Sequence, residues 1–145
     1  MVDVVDRRTR SRMMAGIRGK DTKPELQVRQ FLRGHGFRFS LAKEGVPGRP
    51  DLVFPAARVA VFVHGCFWHR HRGCRLAYVP KSNTHFWKRK FAENVRRDRL
   101  VEGRLRRGGW SVLTVWQCSI HPQGLVTLLD RVTKRLAAQH SRVAA

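Results

Sequence analysis

The chain has 145 residues, enough for one domain and too few for two. Its 30 Lys and Arg against 10 Asp and Glu give a formal net charge of +20, yet 42% of residues are hydrophobic and four are Trp, which fits a folded core rather than a disordered basic tail. Such a charge attracts polyanions and repels a second copy of the chain, so a nucleic-acid partner and a monomer are expected and a small-metabolite enzyme is disfavoured.

The opening stretch MVDVVDRRTRSR places charge where a signal peptide needs its apolar region. No apolar run approaches the ~18 residues of a membrane span, so a cytoplasmic protein without a membrane partner is expected. Residues 1–20 hold Arg7, Arg8, Arg10, Arg12, Arg18 and Lys20, with Met14 and Ile17 between them, and read as a basic amphipathic helix or an arm that orders on a partner. Residues 21–145 then read as a single domain. Thr22 to Glu25 is a capping box with Pro24 in the first turn; Leu26, Val28, Phe31 and Leu32 supply apolar positions, and Gly34 and Gly36 stop the helix.

A strand is expected over Phe37 to Leu41, a loop over Gly45 to Pro50, and a hairpin of two strands over Asp51 to Phe54 and Arg58 to His64. Gly65 to Pro80 has no periodicity and is dense in His, Cys and Arg. A long helix follows from Ser82 to Arg107, with Phe86, Phe91, Val95, Leu100 and Leu105 as core positions and Gly108 and Gly109 as its stop. Trp110 to Trp116 is a further strand, and Pro122 opens a helix containing Leu125, Leu128, Leu129, Val132 and Leu136. A strand, a crossover helix and a strand imply one parallel pair. The expected fold class is therefore α/β, a mixed central sheet with helices on both faces.

Three clusters carry chemistry. Cys66, His71, Cys74 and Cys118 form the Cys3His set of a closed, structural tetrahedral zinc site, and spacing alone admits His69 in place of His71. Three Cys is an odd count, which suits metal ligation better than a disulfide framework. Asp51 stands at a strand start beside a strand ending in His64, an arrangement that can hold Mg2+ and take its remaining ligands from a phosphate. Glu25 can reach the same place from the first helix, and His64 and His69 can move protons near neutral pH. Phe67, Trp68, Phe86 and Trp87 lie among cations, as rings that stack on bases or wedge between them do; adjacent residues on a helix diverge, so one of Phe86 and Trp87 belongs to the core.

The runs Val63 to His69 (VHGCFWH) and Pro47 to Asp51 (PGRPD), Thr9 to Ser11 with Met14 and Ile17, Asn94 to Arg99, and Gly109 to Trp116 closely resemble the very short patch repair (Vsr) mismatch endonucleases, collinearly from Asp3 to Ile120. The resemblance implies a restriction-endonuclease-like core and a strand-specific nickase cutting double-stranded DNA 5′ to the T of T:G mismatches left by 5-methylcytosine deamination. It implies Mg2+ on Asp51 and the Val63 main-chain carbonyl, hydrolysis assisted by His64, His69 and Glu25, and structural Zn2+ on Cys66, His71, Cys74 and Cys118. His69 is then the leading water activator, and His64, oriented by Glu25, an auxiliary acid or stabiliser. Phe67, Trp68 and Trp87 would intercalate at the mismatch while Met14 and Ile17 enter the minor groove, and mismatch-repair proteins become candidate partners at the nucleoid of a bacterial-type cytoplasm. Two departures stand out: Val63 replaces a Thr, and Gly73 adds a residue between His71 and Cys74. The rival readings are a restriction-type nuclease of matched duplex and a non-catalytic zinc-dependent DNA-binding protein.

Overall fold

The computed structural model describes residues 22–41 and 46–144, with side chains to residue 138. The arm over residues 1–20, with Met14 and Ile17, lies outside the described residues.

Helix α1 spans Lys23–Gly34. Thr22 caps it from an extended conformation, its Oγ1 accepting the Glu25 amide at 3.4 Å, and Pro24 sits in the first turn, where no intrahelical donor is needed. Val28 and Leu32 are buried, whereas Leu26, expected as an apolar contact, is half exposed. The inward stripe is instead Glu25, Val28, Arg29 and Leu32. Two of its four members are charged.

The strand expected over Phe37 to Leu41 contracts to a single bridge, in which Ser40 and Val53 exchange amide bonds of 2.9 and 2.8 Å. Phe37 and Phe39 pack edge-on against Phe54, each at 6.2 Å, so the alternation is real, but the intervening Arg38 and the flanking Leu41 are exposed and extend no ladder. Strands β1 (Leu52–Phe54) and β2 (Val59–His64) form the expected antiparallel hairpin. Helix α2 (Thr84–Arg107) crosses over to β3 (Ser111–Trp116), which pairs parallel with β2 in register from Val59 opposite Ser111 to His64 opposite Trp116. The sheet order is β1-β2-β3, and α3 (Pro122–Ala144) closes the chain.

The sheet is covered on both sides, as expected. One face joins Leu52, Phe54, Val59, Val61, Val63, Leu113 and Val115 to Val28 and Leu32 of α1 and to Leu128 and Val132 of α3. The other joins Val53, Ala60 and Val112 to Leu105 of α2. Buried on both sides, β2 and β3 are near-continuous apolar runs.

Helix α2 begins at Thr84 rather than Ser82, and of the expected core positions it buries Phe91 and Leu105 but not Phe86 or Leu100. Trp87, Phe91 and Leu105 are buried, while Phe86 is 47% and Leu100 51% exposed. The residues facing the body of the protein recur as Trp87, Phe91, Asn94, Asp98, Val101 and Leu105, steps of three and four that keep one face of a helix. Val101 also receives the loop before β1: Gly48 has φ +77°, and a Cβ there would meet Val101 Cγ1 at 2.0 Å. Only glycine lets this loop lie so close to α2 and deliver Asp51 to the end of β2.

Candidate active site and metal centre

Asp51 enters the sheet through its amide, which bonds the Val61 carbonyl at 3.0 Å, and its Oδ2 accepts the Val63 amide. The carboxylate is thereby tied to the residue preceding His64, at the carboxyl end of β2. Glu25 arrives from α1, 4% exposed, with its Oε2 3.3 Å from Arg29 Nη2. The Asp51 and Glu25 carboxyl groups share a hydrogen bond. Burial pushes the Asp51 carboxyl up to about 7; the Val63 amide opposes the rise, the Glu25 carboxylate adds to it, and Arg29 opposes it. Glu25 is buried and Asp51 part-buried, and the two place carboxyl oxygens side by side. A hard divalent cation fits that donor set.

His64 follows Val63 in the chain, and its ring stacks on that of His69 at 3.8 Å and 5°. His69 Nδ1 is 2.7 Å from Asp98 Oδ2 on α2. An ionised carboxylate only accepts, so Nδ1 carries the hydrogen and Nε2 is left as the basic nitrogen. His64 meets Trp116 edge-on at 5.3 Å, and burial, with the charge of His69 second, lowers its pKa to about 4. His64 is therefore neutral at physiological pH, and ring contacts orient it. Asp98, within the Asn94 to Arg99 run, is not among the site residues expected from the sequence. The missed signal is its helical register with Phe91 and Leu105, which turns a charged side chain inward.

The three Cys and His71 form a second constellation. Their ligand atoms all lie within 4.8 Å of one another, with Cys66 buried and Cys118 exposed. His71 Nδ1 is 3.7 Å from Cys66 Sγ and 3.3 Å from Cys118 Sγ, and the Cys118 amide donates to Cys66 Sγ at 3.4 Å. His71, and not His69, keeps company with the thiols. Gly73 has φ +72° with open space around it, so the additional residue before Cys74 is taken up in a left-handed turn. The His71 ring stacks on Trp116 at 4.2 Å, and the same indole touches His64. Trp116 thus links the two constellations.

The aromatic residues gather between the 65–80 loop and α2. Phe67 lies 5.1 to 5.5 Å from Trp68, Tyr78, Trp87 and Phe91. Arg70 clamps the loop: its guanidinium donates to the Phe67, Tyr78 and Ala77 carbonyls at 3.2, 2.9 and 2.8 Å and sits 3.8 Å over the Phe91 ring. Asn94 Nδ2 donates to the Trp68 carbonyl at 3.1 Å. Trp87 is the core member of its pair, 5% exposed with no hydrogen-bond partner for Nε1, while Phe86 faces solvent. Lys88, Arg89, Arg96, Arg97, Arg99, Arg104 and Arg107 are exposed along α2. Among the described residues no helix is long and apolar enough to cross a membrane.

The model of the DNA mismatch endonuclease Vsr family matches residues 2–75. The chain is 43% identical to the DNA mismatch endonuclease Vsr of Escherichia coli over 137 residues, covering 94% of this chain and 86% of that protein. The chain belongs to the Vsr endonuclease family. Its similarity extends to the type II nicking enzymes V.XorIIP of Xanthomonas oryzae pv. oryzae, 44% identical over 86% of this chain and 90% of that protein, and V.NmeAIP of Neisseria meningitidis, 41% identical over 83% and 85%. As a Vsr endonuclease the chain acts on DNA.

Proposed function

We propose that this Vsr-family endonuclease nicks one strand of duplex DNA 5′ to the T of a T:G mismatch, by Mg2+-assisted hydrolysis in a restriction-endonuclease-like core over residues 21–145. The observation that supports the chemistry is the His69 imidazole held by Asp98 and stacked on His64, the residue after Val63, whose amide binds the Asp51 carboxylate at the end of β2. Asp51 and the Val63 main-chain carbonyl would hold Mg2+, which polarises the phosphate and stabilises the leaving 3′ oxygen. Cys66, His71, Cys74 and Cys118 would hold Zn2+ in a closed structural site.

His69 Nε2 takes a proton from water as the water oxygen attacks phosphorus and the P–O3′ bond breaks. Asp98 fixes the tautomer and stabilises the imidazolium that forms. His64, neutral at the working pH, contributes a hydrogen-bonding nitrogen rather than a proton. Phe67, Trp68 and Trp87 wedge beside the mismatch, where unstacking costs least. The covered Trp87 ring requires the aromatic cluster to open first, and its unpaired indole N–H makes that opening cheaper, since a buried donor without a partner costs about 1–3 kcal/mol. The exposed cations of α2 hold phosphates. Asp51→Asn is the direct test: nicking is lost while duplex binding persists, and unchanged nicking would contradict the assignment.

A further inference from the structure

Tyr78 is the only tyrosine of the chain and, at 61% exposure, its most exposed aromatic side chain. The core does not use it, yet its place is fixed. Its ring lies 5.1 Å from that of Phe67, tilted by 45°. The main chain that carries it is tied down by Arg70, whose guanidinium donates to the Ala77 and Tyr78 carbonyls at 2.8 and 2.9 Å and to the Phe67 carbonyl at 3.2 Å. Arg70 itself has a left-handed φ of 55°, a conformation that a non-glycine residue keeps only where its surroundings hold it. Phe67 and Tyr78 are thus two rings on one frame.

Of the rings gathered between the 65–80 loop and α2, Trp87 and Phe91 are buried, and Phe67 and Trp68 are half-buried. Phe86, also exposed, rests on Trp87, its neighbour on the helix, 5.2 Å away. A duplex approaching Phe67 therefore meets Tyr78 without any rearrangement of the cluster. An exposed ring already held in place loses little freedom on binding and offers a large flat contact. Its surroundings say what it binds. Arg72, Arg75 and Lys81 are exposed on either side of it in the chain, and no Asp or Glu occurs between Asp51 and Glu93. Such a surface suits a polyanion, and a base offers its π face to a ring set among cations. In matched duplex both faces of a base are covered by its neighbours, whereas a step opened beside a mispair leaves one free.

We propose that Tyr78 is a selectivity residue of this endonuclease: carried on Phe67, its ring stacks on the base uncovered when Phe67 and Trp68 open the step beside the mismatch. The contact forms on mismatched duplex and hardly at all on matched duplex, so it favours nicking of the former. It needs the ring and not the hydroxyl. It rests on the reading of Phe67 and Trp68 as the wedge.

Because Tyr78 is the only tyrosine, 3-fluorotyrosine incorporated into the zinc-loaded full chain gives one 19F resonance. It is recorded in Mg2+-free H2O and D2O buffers without DNA, with a T:G duplex, and with the otherwise identical C:G duplex. The T:G duplex should move the resonance and shrink its solvent isotope shift as water leaves the ring, and the C:G duplex should do so much less. In nicking assays Tyr78→Ser should lower kcat/KM on the T:G duplex by about tenfold, the size of one lost stacking contact, and narrow the gap between T:G and C:G. Tyr78→Phe should match the parent. The melting temperature of Tyr78→Ser should stay within about 2 °C of the parent's, which a merely structural role would not allow. A ring as exposed on the T:G duplex as in the free protein, a ring that becomes more exposed there as a displaced cover of Phe67 would, or undiminished T:G nicking by Tyr78→Ser overturns the inference. Phe67→Leu separates the two levels: undiminished nicking removes the wedge reading and this inference with it, whereas slowed nicking beside an unaltered Tyr78→Ser removes only the role of Tyr78.

Discussion

His69 Nδ1 and Asp98 Oδ2 are 2.7 Å apart although 29 residues separate them in the chain. The contact joins an irregular loop to the middle of α2 and decides which imidazole nitrogen is free to take a proton. Asp98→Asn should lower the single-turnover nicking rate by about a hundredfold, the lower range for a general base that loses its orienting group. Both side chains are partly solvated, so stability should change by less than about 1 kcal/mol. Undiminished nicking by a folded Asp98→Asn would remove the dyad from the mechanism.

The Cys3His site should be a stability element with a reach into the active site. Cys118 is exposed, so Cys118→Ser creates no cavity and reports on ligation alone. Zinc content should fall, and the melting temperature should drop by about 5–10 °C for a loss of roughly 2 kcal/mol. Because Trp116 contacts both His71 and His64, nicking should fall even at temperatures where the variant is folded. A variant with normal melting and no zinc loss would place the metal elsewhere.

The depressed pKa of His64 has a signed effect on stability. Its folded value of about 4 lies below the ordinary 6.5, so on acidification the unfolded chain takes up a proton first. The contribution is complete above pH 6.5 and is lost as pH falls toward 4, at up to about 1.4 kcal/mol per pH unit. His64→Gln lacks this titration, so denaturant unfolding at pH 7 and pH 5 should show the parent losing more stability than the variant. Parallel losses would mean that His64 is as solvated as a free imidazole.

Gly48 and Gly73 share a positive φ and differ in what surrounds them. Gly73→Ala carries only the left-handed backbone cost of about 1–2 kcal/mol. Gly48→Ala adds overlap with Val101, a further 1–3 kcal/mol or so, and should displace the loop that delivers Asp51. The expected order in chemical denaturation is parent, Gly73→Ala, Gly48→Ala, with nicking impaired chiefly in the last.

The fold was legible where burial leaves a simple pattern. The runs over β2 and β3 are apolar because both faces of the sheet are covered, and the crossover between them follows from the long amphipathic segment. The brief pairing near Ser40 was overstated because alternation of Phe37 and Phe39 reflects packing on Phe54 more than a ladder. The helices were less legible. Arg29 in α1 and Asn94 and Asp98 in α2 keep helical register with buried apolar residues, yet charged and amide side chains are ordinarily assigned to solvent, and Leu26, Phe86 and Leu100 were counted inward in their place. Polar residues in the register of a buried stripe are what a site built between helix and sheet looks like in one dimension. The ligand set is the opposite case: Cys66, Cys74 and Cys118 are legible as metal ligands by type, and three-dimensional proximity is what separates His71 from His69.

Strand-resolved nicking of a T:G duplex and of its otherwise identical C:G counterpart, each with Mg2+ and with chelator, tests the central claim most directly. The account predicts one nick 5′ to the mismatched T, dependent on Mg2+, and little or no cleavage of the matched duplex. Equal cleavage of both duplexes, or nicking that persists without a divalent cation, would contradict it.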